Sequence, residues 1–440
     1  MIIDSVKPLD FEDREAENIG QTMYQLITQL YPICRSITGN GFRETLNIIK
    51  GYIPVQVREV PTGTEVYDWT VPKEWNIKDA YIKNSQGEKV VDFYNSNLHV
   101  VNYSVPVHQK ISFEELKRHL FTLPDYPNWI PYRTSYYQEN WGFCLTHEQY
   151  LNLPDGEYEV VIDSTLKPGY MTYGEYFIAG ETAEEVLISC HSCHPSLCND
   201  NLSGIAVAVF LAQYLSQLSL RYSYRFLFIP GTIGSVTWLC HNEAQVRNIK
   251  HGLVLTCLGD GGKFTYKKSR QDQAEIDKVT EYVLSKSGKE YEVIDFFPYG
   301  YDERQYCSPG FNLAVGCFMR SPHGSFPEYH TSADNLDFVK PEYVAESYIQ
   351  CLAVLTILEN NKTYLSKNPK CEPRLGKRGL YRAVGGQAEE ALNELALLWV
   401  LNLADGEHTL LAMAQRSGMA FNVIHKAAKA LLRHDLLQEI

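Results

Sequence analysis

From about residue 176 the chain alternates largely apolar runs of strand length with longer helical patterns, and this alternation restricts the fold more than any other feature. Residues 185–190 (EVLISC), 224–229 (YRFLFI) and 253–258 (LVLTCL) show no apolar–polar alternation, and 311–318 is strand-like as well. A strand without a polar face is covered on both sides. The segments 204–216, 233–247, 272–286 and 341–360 have helical spacing and supply that cover. The pattern predicts an α/β domain built on a mostly parallel sheet flanked by helices.

The rest of the 440 residues divides by texture. Residues 12–30 and 42–51 read as helices of the same domain. Between 55 and 165 the runs are short and alternating, and they are broken by Pro61, Gly63, Pro72, Gly87, Pro106, Pro124, Pro127, Pro131 and Pro154. That is a small β-rich unit nested in the larger domain. Residues 361–384 are polar, basic and interrupted by Pro and Gly, which suits a linker. Helical patterns follow at 387–402, 408–416 and 420–433, and a Gly-containing turn separates the last two. This is the form of a helix-turn-helix. The expected division is 1–54 with 166–365 as the α/β domain, 55–165 as the nested unit, and 366–440 as a winged-helix-like domain.

The densest chemistry lies in Cys190-His191-Ser192-Cys193-His194-Pro195-Ser196-Leu197-Cys198-Asn199-Asp200-Asn201-Leu202-Ser203-Gly204. The segment starts where an apolar strand ends and finishes where a helix begins, at the carboxyl edge that binds ligands in open α/β sheets. Two imidazoles, a carboxylate and three thiols are enough donors for zinc. The same segment also reads as a polar loop with ordinary buried cysteines. Equivalent edge positions hold Asp260 after 253–258, the loop Tyr301-Asp302-Glu303-Arg304-Gln305, and Glu328, His330 and Asp334. Each of these acids alone suits a turn or a helix cap, whereas a shared sheet edge favours a joint site.

These motifs resemble the co-catalytic zinc aminopeptidase and carboxypeptidase superfamily over residues 176–360. Asp200-Asn201-Leu202-Ser203-Gly204 matches its Asp-Asn-x-Ser-Gly element, Asp260 its strand-tip Asp, and Tyr329-His330-Thr331 its Tyr-His-Thr turn. Either His191 or His194 matches its first ligand. A narrower resemblance covers nearly the whole chain. Cys193-His194-Pro195-Ser196, Asn199 to Gly204, Thr232-Ile233-Gly234, Asp302 to Gln305 and Pro327 to Ser332 resemble bacterial aminopeptidase-like-domain proteins of unknown function. Those proteins are associated with polysaccharide biosynthesis and carry a nested β-rich domain and a C-terminal winged helix.

The resemblance implies zinc, with one ion favoured over two, held by His194 or His191, Asp200 and Asp260, with His330 as a further donor. The peptidases carry a Glu-Glu pair where this chain has Gly231-Thr232. The first Glu of that pair serves as their base, so another carboxylate is needed here, from Glu303, Glu328 or Asp302. Arg35, Arg304 and Arg320 are weaker candidates for clamping an anionic substrate group. The spacing of Cys190, Cys193 and Cys198 does not form a paired Cys-x-x-Cys zinc site.

Net charge is −13, which argues against nucleic-acid or anionic-membrane binding. From 405 to 440 four basic residues balance four acidic ones, so the last domain is expected to contact protein or a second copy of the chain, and the pattern leaves little for a β wing. No apolar run is long enough to cross a bilayer. The acidic start shows no signal peptide and the 11 cysteines are scattered, so reduced thiols and a cytoplasmic location are expected. Two functions stay open. One is a zinc-dependent hydrolase of a peptide-like or amino-sugar amide. The other is a catalytically silent or repurposed scaffold for binding or assembly.

Overall fold

Seven consecutive buried residues, Glu185–His191, form the strand around which the larger unit is built. The structure, a computed structural model, describes residues 13–381 and 393–440. It has two compact units, one within residues 11–350 and one within 351–440.

The larger unit has an eight-stranded mixed sheet. Its strands are β1 (Gln56–Pro61), β2 (Tyr170–Ile178), β3 (Glu185–His191), β4 (Ser223–Ile229), β5 (Ile249–Leu255), β6 (Phe264–Lys267), β7 (Tyr291–Ile294) and β8 (Val315–Met319), in the order β1-β2-β4-β3-β5-β8-β6-β7. The central strands β4, β3, β5 and β8 are parallel, whereas β1 and β2 pair antiparallel at one edge. Helix Gly204–Leu215 is buried at ten of its positions and packs on β3, β4, β5 and helix Asp13–Leu30. The α/β architecture read from the apolar runs is therefore present.

Several boundaries moved. The strand expected at 253–258 is Ile249–Leu255, and the one at 311–318 is Val315–Met319. β6 and β7 were not anticipated. β6 is only four residues long and includes Lys267, whose charge is buried in an ion pair, and β7 is short and partly exposed. β1, grouped by texture with the β-rich segment, is an edge strand of the large sheet.

The β-rich segment has its own antiparallel sheet, ordered Lys89–Asp92, Glu74–Lys83, Glu157–Lys167, Val107–Ser112. Alternate positions point into one core that includes Ala80, Ile82, Val160 and Ile162, as period-two patterning requires. A loop from this segment reaches the large unit's site edge. Pro131 bridges Thr331, and Tyr132 N–H donates to His330 O at 2.7 Å.

The smaller unit contains helices Glu394–Leu403, Leu410–Ser417 and Phe421–Arg433. It also has the three-stranded sheet that the sequence did not reveal, ordered Asp405–Thr409, Thr363–Ser366, Leu437–Glu439. Thr363–Ser366 falls in the stretch read as a linker, because a four-residue strand in polar sequence leaves no periodic signature. Residues 382–384 of that linker, 387–392 of the next helix, and the first twelve residues of the chain lie outside the described residues. Among the described residues no helix is long and apolar enough to cross a membrane.

One charged network ties β2, β3 and β4 together. Arg225 on β4 donates to Glu185 on β3 at 2.7 and 3.0 Å and pairs with Glu175 on β2, with the three side chains 4–12% exposed. Removing one partner of a buried pair leaves the other charge uncompensated. Arg225→Ala is expected to lower unfolding free energy by about 3–5 kcal/mol in urea denaturation. A loss under about 1 kcal/mol would show the network to be dispensable.

Candidate metal centre

The Asp200 segment is built by hydrogen bonds from its own motif. Asn199 and Asp200 N–H donate to the two carboxylate oxygens of Asp334 at 2.5 and 2.9 Å. Asn201 Nδ2 donates to Leu255 O at the end of β5 (2.9 Å) and to His191 O at the end of β3 (3.2 Å). Ser203 Oγ donates to Asn199 O and accepts from Leu258 N–H. A Cβ on Gly204 would lie 2.3 Å from Asn201 Oδ1 and 2.6 Å from Leu255 O, so only glycine fits. Asn201 thus fastens the turn to two strand ends, Asn199, Asp200 and Ser203 tie it to the neighbouring loops, and Gly204 leaves room for the close approach.

Three imidazoles converge on the carboxylate this turn presents. His191 Nε2 is 2.7 Å from Asp200 Oδ1, and Oδ2 lies 3.2 Å from His194 Nδ1 and 3.0 Å from His330 Nε2. His191, His194 and Asp200 have donor atoms within 4.8 Å of one another. Two ligands on a tetrahedral zinc, each about 2.0–2.1 Å from the ion, are about 3.3 Å apart. The Asp200–His194 and Asp200–His330 separations are close to that spacing, and the Asp200–His191 pair would open by about 0.6 Å to reach it. Both histidines that matched the first ligand position are present, and His330 sits at the more open side, with its side chain 33% exposed.

Charge points the same way. Burial works against ionisation of Asp200, but the neighbouring His194 and His191, through field and hydrogen bonds, hold its carboxyl well below the usual range. Burial pushes His191 down to about 3 and also lowers His330 and His323, which keeps these rings neutral. Every ion-pair partner of Asp200 among the described residues is a histidine. An anionic carboxylate with no Lys or Arg partner among the described residues, beside the neutral rings of His191 and His330, is a donor set suited to a cation.

The other expected residues are placed differently. Asp260 lies outside the donor cluster. Its oxygens accept from Asn199 Nδ2 (2.7 Å), Gly262 N–H (2.6 Å) and Ser321 Oγ (2.8 Å). Because β5 stops at Leu255, Thr256 and Cys257 take the strand tip and Asp260 is carried into the following turn. Glu303 is fully buried in an ion pair with Lys267 and accepts from Tyr301 N–H, so it pins a loop instead of facing the cluster. Asp302 accepts from Thr232 N–H (2.7 Å) and Ser235 Oγ (2.8 Å), and burial raises its pKa to about 7. Glu328 is half-buried in the turn before His330, and its carboxylate has no hydrogen bond or ion pair among the described residues. Arg35 Nε donates to His194 O at 2.8 Å and Arg320 pairs with Glu346, so both are structural.

Four contributors were not anticipated. Tyr301 stacks on His191 with centroids 3.6 Å apart, and its hydroxyl is 3.0 Å from His194 Nε2. A Cβ on Gly231 would sit 2.4 Å from that phenol oxygen, so Tyr301 fills the space that a side chain at 231 would need. Tyr132 lies edge-on to His194 and His330 at 5.2 and 5.1 Å. Cys257 and His323 form a further donor group with Asp200. Of these only Tyr301 had a signal in the sequence, through Gly231, whose lack of a side chain leaves room for another group.

Comparison with known proteins places the chain in a family. The sequence profile of a domain of unknown function, DUF4910, matches residues 24–361, and a winged helix-turn-helix profile matches 362–439. A Clostridium acetobutylicum protein, named as a polysaccharide biosynthesis protein with an aminopeptidase-like domain, is 56% identical over 425 residues, covering 97% of this chain and 98% of that protein. A crystal structure named as a peptidase from the same organism superposes with a TM-score of 0.92 at 55% identity, over 97% of this chain and 98% of that one. A zinc aminopeptidase from Bacillus subtilis superposes with a TM-score of 0.56 at 13% identity, over 77% and 94%, which shows a shared fold.

The buried Asp302 makes a pH prediction. Its folded pKa of about 7 lies above the usual 3.8, so between those values the folded state keeps a proton that the unfolded chain has lost. Stability therefore falls as pH rises through that window. Asp302→Asn keeps an acceptor for Thr232 and Ser235 and cannot ionise. Its stability relative to the parent is expected to improve on the order of 2–4 kcal/mol from pH 4 to pH 8 in denaturant titrations. Parallel stability curves for the two proteins would refute a protonated Asp302.

Proposed function

The chain belongs to the DUF4910 family and carries a winged helix-turn-helix domain, and on that premise we propose that it is a zinc-dependent hydrolase of an amide bond. The convergence of His191, His194 and His330 on the buried Asp200 carboxylate carries this reading. In it, His191, His194 and Asp200 hold one zinc, and three protein ligands leave a position open toward His330. Zinc in such a seat supplies a Lewis acid for a carbonyl and activates water near neutral pH.

The protein's own groups account for the rest. Asp200 supplies the negative charge of the proposed ligand set, and burial keeps His191 neutral and able to donate a lone pair. Tyr301 holds the two rings by stacking on one and hydrogen bonding to the other. Tyr132 screens His194 and His330 from water. Glu328 is the proposed base, because Glu303 and Asp302 are committed to structural partners while the Glu328 carboxylate is not. The relative's name makes an amino-sugar amide, of the kind used in surface-polysaccharide assembly, the preferred substrate over a peptide. The division into 1–54 with 166–365, 55–165 and 366–440 belongs to this proposal, with Gln56–Pro61 reassigned to the large sheet and Thr363–Ser366 to the smaller unit. So does docking of the charge-balanced C-terminal domain on protein instead of nucleic acid.

One observation favours the scaffold reading. Gly231 and Thr232 stand where the peptidases carry their Glu-Glu pair, and the phenol of Tyr301 occupies the gap. Metal analysis and turnover separate the two readings. The full chain purified without chelator is expected to hold about one zinc, to lose amide hydrolysis on chelation, and to regain it with zinc. On a panel of aminoacyl and N-acyl amides, Glu328→Gln is expected to cut turnover by about 10²–10⁴ with zinc retained. A chain that takes up no zinc after reconstitution removes the hydrolase reading, and unchanged turnover in Glu328→Gln removes that residue as the base.

A further inference from the structure

We propose that a cleft between residues 31–44 and the nested β-rich unit binds a neutral saccharide. The inference goes beyond the hydrolase reading and does not rest on it, because none of the proposed metal donors lines the cleft. Its volume is about 580 Å³, within the roughly 300–1,000 Å³ of small-ligand sites. Phe93 to Asn97, consecutive residues of the nested unit, form one wall, and Tyr31 to Cys34 form another.

Hydrogen bonds hold the walls in place. Asn97 Nδ2 donates to Ser196 Oγ at 2.7 Å and to Pro32 O at 3.3 Å, and Ser196 Oγ donates to Tyr31 O at 2.8 Å. These bonds use both amide protons of Asn97, while its buried Oδ1 has no hydrogen-bond partner. A buried acceptor left open in this way is met by water or by a ligand hydroxyl. Ser96 Oγ accepts from Leu98 N–H at 3.3 Å, which leaves its own proton to donate. Asn95 and Glu44 also line the cleft. Both are exposed, and their side chains make no hydrogen bond or ion pair among the described residues.

These groups select the class of ligand. Amides and hydroxyls offer donors and acceptors side by side, which matches the neighbouring hydroxyls of a sugar. Tyr94, 72% exposed, stands beside Phe93 with ring centroids 6.1 Å apart. The negative face of an aromatic ring attracts the polarised C–H groups of a sugar ring. No Lys or Arg lines the cleft and Glu44 does, so a phosphate or a uronic acid finds no counter-charge there and meets a carboxylate. The unspent polar groups are side chains, whereas a peptide is captured chiefly by backbone hydrogen bonds at a strand edge. The ligand that fits is uncharged and polyhydroxylated.

Isothermal titration calorimetry of the full chain tests the cleft with four neutral oligosaccharides, maltotriose, cellotriose, mannotriose and chitotriose. At least one is expected to bind the parent. Tyr94→Ala is expected to weaken that binding about tenfold and Asn95→Ala about fivefold. Both side chains are exposed, so both variants are expected to keep the parent's melting temperature, and Asn95→Ala keeps the test usable if Tyr94→Ala fails to fold. No binding of any of the four at about 10 mM overturns the proposal. Equal affinity in the parent and both variants puts the saccharide elsewhere and also overturns it. Trialanine or glucose 6-phosphate binding with the same Tyr94 dependence, while the trisaccharides do not, overturns the neutral-saccharide assignment. Each of these results leaves the zinc and turnover tests of the hydrolase reading as they stand.

Discussion

The Asp200 carboxylate is the point on which the site depends. It is fully buried, and imidazoles are its ion-pair partners among the described residues. Burying a carboxylate costs several kcal/mol unless hydrogen bonds or charge offset it. Here imidazole N–H groups provide the offset, and two backbone N–H bonds to Asp334 keep the turn from relaxing. Because Asn201 fastens the turn to the ends of two parallel strands, while Asn199 and Ser203 tie it to the segment that follows β5, the carboxylate is held at the carboxyl edge of the sheet.

A second buried charge sets the opposite wall. Lys267 on the short strand β6 pairs with Glu303 and also donates to Tyr299 O at 2.7 Å, which ties the loop before Glu303 to the sheet. That loop carries Tyr301, whose ring covers His191 and whose hydroxyl meets His194. Gly231 makes the arrangement possible, since any side chain there would collide with the phenol. The Glu303 carboxylate that looked like a base in the sequence is thus a support for the loop that carries Tyr301. The departure at Gly231 and the ordering of Tyr301 are one structural change seen from two sides.

Legibility followed the range of the signal. The apolar runs at 185–190 and 224–229 and the helix at 204–216 were readable because both faces of those elements are buried, and that leaves an unbroken local pattern. β6, β7 and Thr363–Ser366 were not, because four residues cannot display a period. The same logic applies to the site. Asp200, His191, His194 and His330, which the structure brings together, lie in compact motifs. Asp260 was misplaced by the few residues separating Leu255 from the assumed end of its strand, which is enough to turn a side chain into another pocket.

By itself the sequence determined the α/β layering, the turn that presents Asp200, and the family resemblance, since each is written in residues close together along the chain. Only the tertiary structure decided which charged groups face the cluster and which are spent on support. Lys267 and Glu303, or Gly231 and Tyr301, meet through segments far apart in sequence. Whether a buried carboxylate reaches solvent, a lysine or an imidazole depends on that convergence, and no local pattern encodes it.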